Sequence, residues 1–388
     1  MSPAGRAMRT LLFTGPGGAG TSTLATSAAV HAARAGRHTV LLCRQGVRVR
    51  GLDAEPGLTV TTVDPQDALE NLWTGTADAL AAVLPQLTLP PATSVVPMPG
   101  TADLGLFAHL GRVEADLVVV DAGPVESATT LVGLSAALRW WLDQLMPPGM
   151  RALGAVRTAA VAAGAARRGP VDAALSAVPA VEALLARDRL ADPVDTGVVL
   201  VAAPRTSAGP ALRSVATVLG LHGLRTGAVL SRVLPLGGDD EWTRRRAAEQ
   251  DAVLTALAEV APVHRVPELA VAPGDADELA GLLDGLLPEV TGFPVPGPER
   301  HEGAWQLTVP LPFAEREAVQ LTRWVDDLVL TVGGARRSLR LDPLLRRCEV
   351  TGGRLLDPAT ATARLVVGFR PDPQLWPADL LSAEKRTP

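Results

Sequence analysis

The stretch Gly15-Pro-Gly-Gly-Ala-Gly-Thr-Ser-Thr23 decides the fold, because it joins a short apolar run to a helical pattern. The apolar run, Arg9–Thr14, predicts a buried strand, and Ser22–Ala35 predicts a helix that ends at the glycine cap Gly36. A glycine-rich turn in this context lets backbone N–H groups approach an anion at the positive end of the helix dipole. The spacing matches the phosphate-loop pattern G-x-x-x-x-G-K-[ST], except that Thr21 stands where the lysine belongs. The alternative is a glycine-rich turn that binds no ligand.

The first three-quarters of the chain alternates short apolar runs with helical stretches, which is typical of a parallel sheet flanked by helices. The runs are often Val-rich, as strands covered on both faces should be. We therefore expect an α/β unit over residues 1–290, with a doubly wound, mostly parallel sheet. The further strands predicted are Thr39–Cys43, Leu58–Val63, Leu117–Asp121, Gly197–Ala202 and Gly227–Ser231, and the further helices are Ala128–Leu145, Ala211–Leu219 with Gly220 as its cap, and Trp242–Val260.

Two later parts of the chain depart from this pattern. Residues 148–195 are Ala-rich and lack a convincing strand, so we predict a helical insertion between two strands. Residues 291–300 are rich in Pro and Gly and predict a linker. Beyond it apolar and polar residues alternate, which predicts a small all-β sandwich over residues 301–370 and a tail over residues 371–388. The alternating runs are Trp305–Val309, Leu328–Val332, Leu339–Leu341 and Leu365–Phe369.

Length and composition narrow the class of function. With 388 residues, 47% of them hydrophobic, the chain has enough material for sizeable cores. A formal net charge of −5 argues against nucleic-acid binding, because phosphate neutralisation needs a basic face. Cys43 and Cys348 fit no metal-binding spacing, so we expect no zinc site and a reduced, cytoplasmic compartment. Neither a signal segment nor an apolar stretch of membrane-spanning length is evident, so we do not expect an integral membrane protein.

Further motifs follow the glycine-rich loop in a fixed order. Residues 63–69 read VDPQDAL, residues 117–124 read LVVVDAGP, and residues 230–235 read LSRVLP. In this order and spacing the motifs resemble those of the ArsA-like P-loop ATPases, which include the arsenite-pump ATPase and the factor that targets tail-anchored membrane proteins. The resemblance covers residues 9–287. The family's loop reads GKGGVGKT[ST], and the residues that match it here are Gly15, Gly17, Gly18, Gly20, Ser22 and Thr23.

The resemblance implies a nucleotide site and names its residues. ATP or ADP would contact the loop residues Gly15, Gly17, Gly18, Gly20, Thr21, Ser22 and Thr23. By the same resemblance, Ser22 and Asp121 would serve Mg²⁺, and Ser231 occupies the place of an asparagine that contacts adenine. An aspartate that ends an apolar strand has an alternative role, because Asp121 could simply cap the loop after it. The resemblance also implies a dimer that closes around nucleotide.

The departures from the family pattern bear on activity. Pro16 replaces the family's signature lysine and Thr21 its loop lysine. The stretch Cys43–Gly46 has no carboxylate where the family has the aspartate that orients the attacking water, and residues 125–128 (VESA) replace TGHT. Phosphoryl transfer depends on positioned positive charge and an oriented nucleophile, so we expect nucleotide binding to be weak or absent and hydrolysis to be lost. Arg44 is a candidate to lend charge to a phosphate, the alternative being a solvated loop arginine.

Two other regions are candidates for binding proteins. In the targeting branch of the family an apolar groove in the helical insertion holds a hydrophobic client. Met and aromatic side chains make adaptable surfaces of that kind, although ordinary helix–helix core is the alternative. The corresponding residues here are Trp140, Trp141, Leu145, Met146 and Met150. The family's cysteine trio for arsenite is absent, so metalloid transport is not expected. Residues 301–370 resemble the small heat-shock (α-crystallin-like) domain of some bacterial ArsA-like proteins, which implies either polypeptide binding or a passive dimerisation module.

Three functions remain open at this point. The leading hypothesis is a pseudo-ATPase that binds protein partners or hydrophobic clients, either as a homodimer or paired with an active ArsA-like subunit. The second is a weakly active ATPase whose arginines replace the missing lysines. The third is a chaperone-like module that acts through the C-terminal sandwich alone.

Overall fold

The computed structural model describes residues 9–83, 88–165, 170–283, 292–301 and 304–376. An α/β unit comes first and two antiparallel sheets follow it. The strands are β1 (Arg9–Gly15), β2 (Thr39–Cys43), β3 (Leu58–Thr62), β4 (Leu117–Pro124), β5 (Thr196–Ala202), β6 (Thr226–Val233), β7 (Val263–Pro267), β8 (Pro298–His301), β9 (Ala304–Pro310), β10 (Gln320–Trp324), β11 (Asp327–Val332), β12 (Ala335–Arg340), β13 (Cys348–Leu356) and β14 (Arg364–Pro371). The helices are α1 (Thr21–Arg34), α2 (Pro65–Val83), α3 (Thr101–Leu110), α4 (Val125–Leu145), α5 (Pro148–Ala162), α6 (Pro170–Ala186), α7 (Ala208–Leu221), α8 (Glu241–Ala258), α9 (Ala276–Ala280) and α10 (Pro343–Arg346).

The first seven strands form one parallel sheet in the order β3-β2-β4-β1-β5-β6-β7, which confirms the predicted doubly wound fold. Side chains of β1 alternate between two cores, with Leu12 in one and Leu11 and Phe13 in the other, so both faces are covered by helices. The strand order reverses at β1, which lies between β4 and β5. In open α/β sheets this switch point creates a crevice beyond the carboxyl ends of the strands, and the glycine-rich loop begins there.

The sequence missed some elements of this unit. Strand β7 lies at the sheet edge and carries His264 and Arg265, so it lacks the apolar run of a buried strand. Helices α2 and α3 were also not predicted. Gly36 (φ 80°) is confirmed as the residue that ends α1. The assignment of Gly220 as a cap was wrong, because α7 continues through it and the left-handed residue is Gly223 (φ 83°).

The region between β4 and β5 is helical, as predicted for residues 148–195. It contains α5 and α6, and its described residues form no strand before Thr196. Arg157 of α5 and Asp172 of α6 form an ion pair with an Nε–Oδ1 distance of 2.7 Å.

The C-terminal part forms a sheet of β10-β11-β12 and a sheet of β13-β14-β9-β8, which confirms the predicted antiparallel sandwich. The alternating pattern arises because every second side chain enters the core between the sheets. Strand β8 lies inside the range expected to be linker and pairs with β9. The sequence missed β10 and β13, whose residues are mostly exposed or half-buried. Core side chains include Leu307, Val309, Leu328, Leu330, Val367 and Phe369.

The sandwich packs directly on two helices of the α/β unit. Leu221, the last residue of α7, belongs to the sandwich core. The Thr217 hydroxyl donates to the Pro312 carbonyl at 2.5 Å. At the end of α4, Asp143 forms an ion pair with Arg340 of β12 at 2.8 Å. The two parts of the chain are therefore joined by apolar packing, hydrogen bonding and charge.

Among the described residues, no helix is both long and apolar enough to cross a bilayer.

Candidate functional site

The loop after β1 contains glycines at positions that only glycine fits. Gly18 (φ 77°) and Gly20 (φ 95°) adopt left-handed conformations that disfavour other residues. A Cβ on Gly15 would lie 2.0 Å from the Val201 carbonyl oxygen of β5, so this position tolerates no side chain. The glycines therefore meet specific geometric needs of the turn, and they place the start of α1 at the switch point of the sheet.

The N-terminus of α1 offers backbone donors that no protein group uses. Its first internal hydrogen bond runs from the Leu24 N–H to the Gly20 carbonyl at 3.0 Å. The N–H groups of Thr21, Ser22 and Thr23 have no acceptor among the described residues, and no side chain caps the helix. The first turn also contains no acidic residue. Uncapped donors at a helix N-terminus suit an anion, so the backbone fits a phosphate group.

Arg44 lies near the loop but is committed to other partners. Its Nε donates to the Ala122 carbonyl at 3.1 Å, and its Nη2 pairs with Asp103 of α3. Both side chains are largely buried, at 16% and 13% exposure. Breaking a pair with this little solvent costs several kcal/mol, because it leaves an uncompensated charge. Arg44 is therefore neither a solvated loop arginine nor free to meet a phosphate.

Arg232 is a second arginine at the loop, and the sequence motif gave no reason to assign it a role. It follows Ser231 on β6, and its Nη2 donates to the Gly18 carbonyl at 3.3 Å. Its Nε lies 3.3 Å from a carboxylate oxygen of Glu268, and the two side chains are 35% and 36% exposed. Such a solvated pair contributes only about 0–1 kcal/mol, so this guanidinium can leave its carboxylate at little cost. The feature that could have pointed to Arg232 is its position near the end of a strand that lies beside the loop.

Asp121 and Ser231 are both buried at the strand ends. Asp121 is 3% exposed, and its Oδ1 accepts from the Gly123 N–H at 3.1 Å, which is the capping interaction considered as its alternative role. The neighbouring Cys43 thiol has a raised pKa, chiefly because it is buried, with a smaller contribution from the Asp121 charge. The Ser231 hydroxyl is fully buried and has no partner among the described residues. Ser231 is therefore a buried polar residue whose hydroxyl lies at the end of β6, close to the loop side of the sheet.

The candidates for client binding lie outside this loop. Trp141, Leu145 and Met150 are more than half exposed, so they are not ordinary helix–helix core. Trp140 is half-buried, and its ring meets that of Trp141 edge to face at 4.9 Å. Met146 ends α4 and is also half-buried. The structure thus leaves an apolar surface at the α4–α5 junction.

Two known protein families match the sequence of this chain. The sequence model of the anion-transporting ATPase family (ArsA ATPase) matches residues 8–282, more than half of the chain. This chain belongs to the ArsA family. A second model, the HSP20-like domain found in ArsA, matches residues 302–359, within the sandwich. Both domain resemblances inferred from the sequence are confirmed.

Two relatives share nearly the full length of this ArsA-family chain. The uncharacterized protein SCO2128 of Streptomyces coelicolor is 35% identical over 406 residues, covering 95% of this chain and 99% of the relative. Protein Rv2184c of Mycobacterium tuberculosis is 30% identical over 430 residues, covering 95% of this chain and 97% of the relative. Both alignments therefore extend over the ArsA unit and the sandwich of this chain.

Proposed function

We propose that this chain is an ArsA-family pseudo-ATPase that binds nucleotide phosphate weakly, does not hydrolyse ATP, and acts by binding other proteins. The observation that supports the proposal is the combination of unused backbone N–H donors at the start of α1 with nearby cationic side chains that are each paired with a carboxylate. The loop has no lysine, and each arginine beside it, Arg44 and Arg232, is paired with a carboxylate. Phosphoryl transfer from a triphosphate needs positioned positive charge in the transition state, and in this structure both arginines direct theirs at a carboxylate.

The residues of the loop and the neighbouring strand ends are better suited to bind a phosphate group than to bind Mg·ATP. The Ser22 hydroxyl makes no hydrogen bond within the described residues, so it could serve Mg²⁺. Asp121 is less suited, because one of its oxygens is engaged by the Gly123 N–H. With ATP bound, Mg²⁺ would supply charge neutralisation, while the loop N–H groups would orient the phosphates. No carboxylate follows Cys43 in residues 44–46, so hydrolysis lacks the group that would orient the attacking water.

The test is a comparison of ATP turnover with a disabled control. We expect the wild-type protein to hydrolyse Mg·ATP no faster than the Ser22→Ala, Asp121→Ala double variant, while calorimetry detects weak binding of ADP. Turnover clearly above that control would overturn the proposal. Absence of any ADP binding would show that the nucleotide connection is ancestral only.

One observation favours the second candidate, a weakly active ATPase. Lys385, far from the loop in sequence, is the only lysine of the chain, so arginine carries nearly all positive charge. Arg232 contacts Gly18 of the loop, and its solvated pair with Glu268 is easily exchanged for a phosphate. Under this candidate, Arg232→Gln would abolish a measurable turnover. Under the leading proposal there is no turnover to lose.

The exposed apolar surface at the α4–α5 junction supports the protein-binding part of the proposal. Trp141, Leu145 and Met150 suit a hydrophobic polypeptide or a partner subunit, either a second copy or an active ArsA-like protein. Leu145→Asp should then weaken association in sedimentation experiments, whereas Val271→Asp, an equally exposed site elsewhere, should not. Trp324 and Val325 are exposed on the sandwich, which supports the third candidate, polypeptide binding by that domain. The same sedimentation assay can test it. Cys43 and Cys348 are buried and form no disulfide among the described residues, which supports a cytoplasmic location.

A further inference from the structure

A cavity of about 280 Å³ lies between the α/β unit and the sandwich. Its walls come from α4 on one side and from β12 on the other, and His222 at the end of α7 contributes to its lining. This cavity contains none of the residues assigned to the nucleotide loop. It is of a size that admits a small metabolite but not a nucleotide triphosphate.

Two guanidinium groups line the cavity without a carboxylate of their own. Arg139 projects from α4 and Arg337 from β12. Among the described residues, no carboxylate oxygen lies within 4.0 Å of either group. The one hydrogen bond of Arg337 goes to the Leu221 carbonyl at 2.5 Å. An arginine has five N–H donors, so most of the donor capacity of Arg337 is unused.

Four carboxyl groups lie near the two guanidinium groups. Asp188 attracts both arginines from beyond ion-pair distance; its Oδ1 accepts from the Leu190 and Ala191 N–H groups at 3.0 and 3.2 Å, and its Oδ2 is buried without a hydrogen-bond partner among the described residues. Asp143 lines the cavity and is shared between Arg340 and Arg151, at 2.8 and 2.9 Å. Two further carboxyl groups, Asp327 and Asp342, line the cavity: Asp327 lies near Arg340 and Ser338, and the Asp342 Oδ1 accepts from the Leu344 N–H at 2.9 Å. At the Arg139–Arg337 end two cations therefore face one carboxylate, that of Asp188, which leaves an excess of positive charge.

The pKa values of Arg337 and His222 reflect the positive charge at this end of the cavity. Burial, followed by repulsion from Arg139, lowers the pKa of Arg337 to about 10, so Arg337 stays charged at neutral pH. Burial and the Arg337 charge lower the pKa of His222 to about 3, so His222 is neutral there. The Trp140 indole N–H is also buried without an acceptor among the described residues. Two repelling cations and an unused donor line the same small cavity.

We propose that this cavity binds a small organic anion, whose carboxylate or phosphate group lies between Arg139 and Arg337 and accepts from the Trp140 N–H. Guanidinium groups bind both kinds of anion with two parallel hydrogen bonds. The anion would replace the repulsion between two cations with attraction, and it would satisfy the buried indole donor. It would contact both units of the protein at once. Since α4 begins directly after the strand that carries Asp121, the ligand would also hold the helix that leads from the phosphate loop to the sandwich.

The test measures thermal unfolding of the full chain with inorganic phosphate, succinate or citrate, against sodium chloride of equal ionic strength. We expect at least one of the three anions to raise the midpoint in a saturable way. Arg139→Gln, which lies on a helix surface and should fold, should weaken the fitted affinity roughly tenfold or more, as should Arg337→Gln. The matched control is Arg336→Gln, because Arg336 is the exposed neighbour on β12 and does not line the cavity.

The phosphate loop is a second place where an anion could bind, so the titration is repeated in Thr21→Glu, which puts a carboxylate there. A shift that survives Thr21→Glu and disappears in Arg139→Gln assigns the effect to the cavity. A shift that disappears in Thr21→Glu but survives in Arg139→Gln overturns the inference and leaves the proposed nucleotide site intact. The inference is also overturned if none of the three anions exceeds the chloride control, or if Arg336→Gln and Arg139→Gln behave alike.

Discussion

Thr21 is the residue where the loop departs most clearly from a working phosphate site. It opens α1, and its N–H is among the donors that no protein group uses. The left-handed backbone at Gly18 and Gly20 fits the proposed phosphate site. What is missing at this position is side-chain charge rather than backbone shape.

Restoring that charge should therefore restore affinity. We expect Thr21→Lys to strengthen Mg·ATP binding roughly ten- to hundredfold, because a charge-assisted hydrogen bond contributes about 1.5–3 kcal/mol. The measurement is a calorimetric titration, and Thr21→Gln is the control of similar length without charge. Hydrolysis should stay negligible, since no carboxylate follows Cys43. A folded Thr21→Lys protein that binds no better than Thr21→Gln would contradict the idea that only charge is missing.

At the scale of the elements, α7 connects the two units of the molecule. Leu212 and Leu219 face the core of the α/β unit, whereas Leu221 enters the core of the sandwich. Gly220, between these positions, permits close approach of the sandwich, because a Cβ there would lie 2.4 Å from the Pro312 Cδ. The glycine that resembled a helix cap in the sequence is thus a contact residue.

Two glycines of the same helix give a matched pair of variants. Gly220→Ala should lower the free energy of unfolding by about 1–3 kcal/mol, because overpacking outweighs the gain in helix propensity of about 1 kcal/mol. Gly209→Ala should leave it unchanged or raise it, since its Cβ would lie at an ordinary 3.7 Å from the Ala256 Cβ. Urea unfolding checks both. Equal effects of the two substitutions would argue against a tight α7–sandwich contact.

At the scale of the whole molecule, the junction between the units contains a buried imidazole. The pKa of His222 is lowered to about 3, first by burial and then by the charge of Arg337, from an ordinary value of 6.5. Between these values the unfolded chain binds a proton that the folded chain does not. Stability from this group is therefore fully present above pH 6.5 and falls as the pH is lowered towards 3.

Lowering the pH should accordingly reduce the unfolding free energy of the wild-type protein more than that of a variant without this imidazole. Between pH 7 and pH 4.5 we expect wild type to lose about 2–3 kcal/mol of unfolding free energy beyond the loss shown by His222→Gln. Denaturant unfolding at the two pH values measures the difference, and other acidic groups cancel in the comparison. Parallel losses in the two proteins would mean that His222 is solvated or charged in the native state.

Local sequence patterns were sufficient for much of the architecture. The apolar runs of β1, β2, β4, β5 and β6 predicted the parallel sheet, because strands buried on both faces carry few polar residues. The alternation after residue 300 predicted the sandwich for a similar reason. The glycine pattern of residues 15–23 placed the candidate site, since those conformations favour glycine. The edge strand β7 was missed because solvent on one side removes the apolar signal.

Only the tertiary structure decided which charges reach the loop and which lie between the units. Arg232 meets Gly18 across 214 residues, and Arg44 meets Asp103 across 59. Arg139 and Arg337 come together only because the sandwich packs on α4 and α7. Local periodicity reports how a segment is buried, whereas the partner of a charged side chain depends on how distant segments pack. The sequence by itself therefore determined the fold and the place of the phosphate loop, and the packing of the two units determined the electrostatics of both candidate sites.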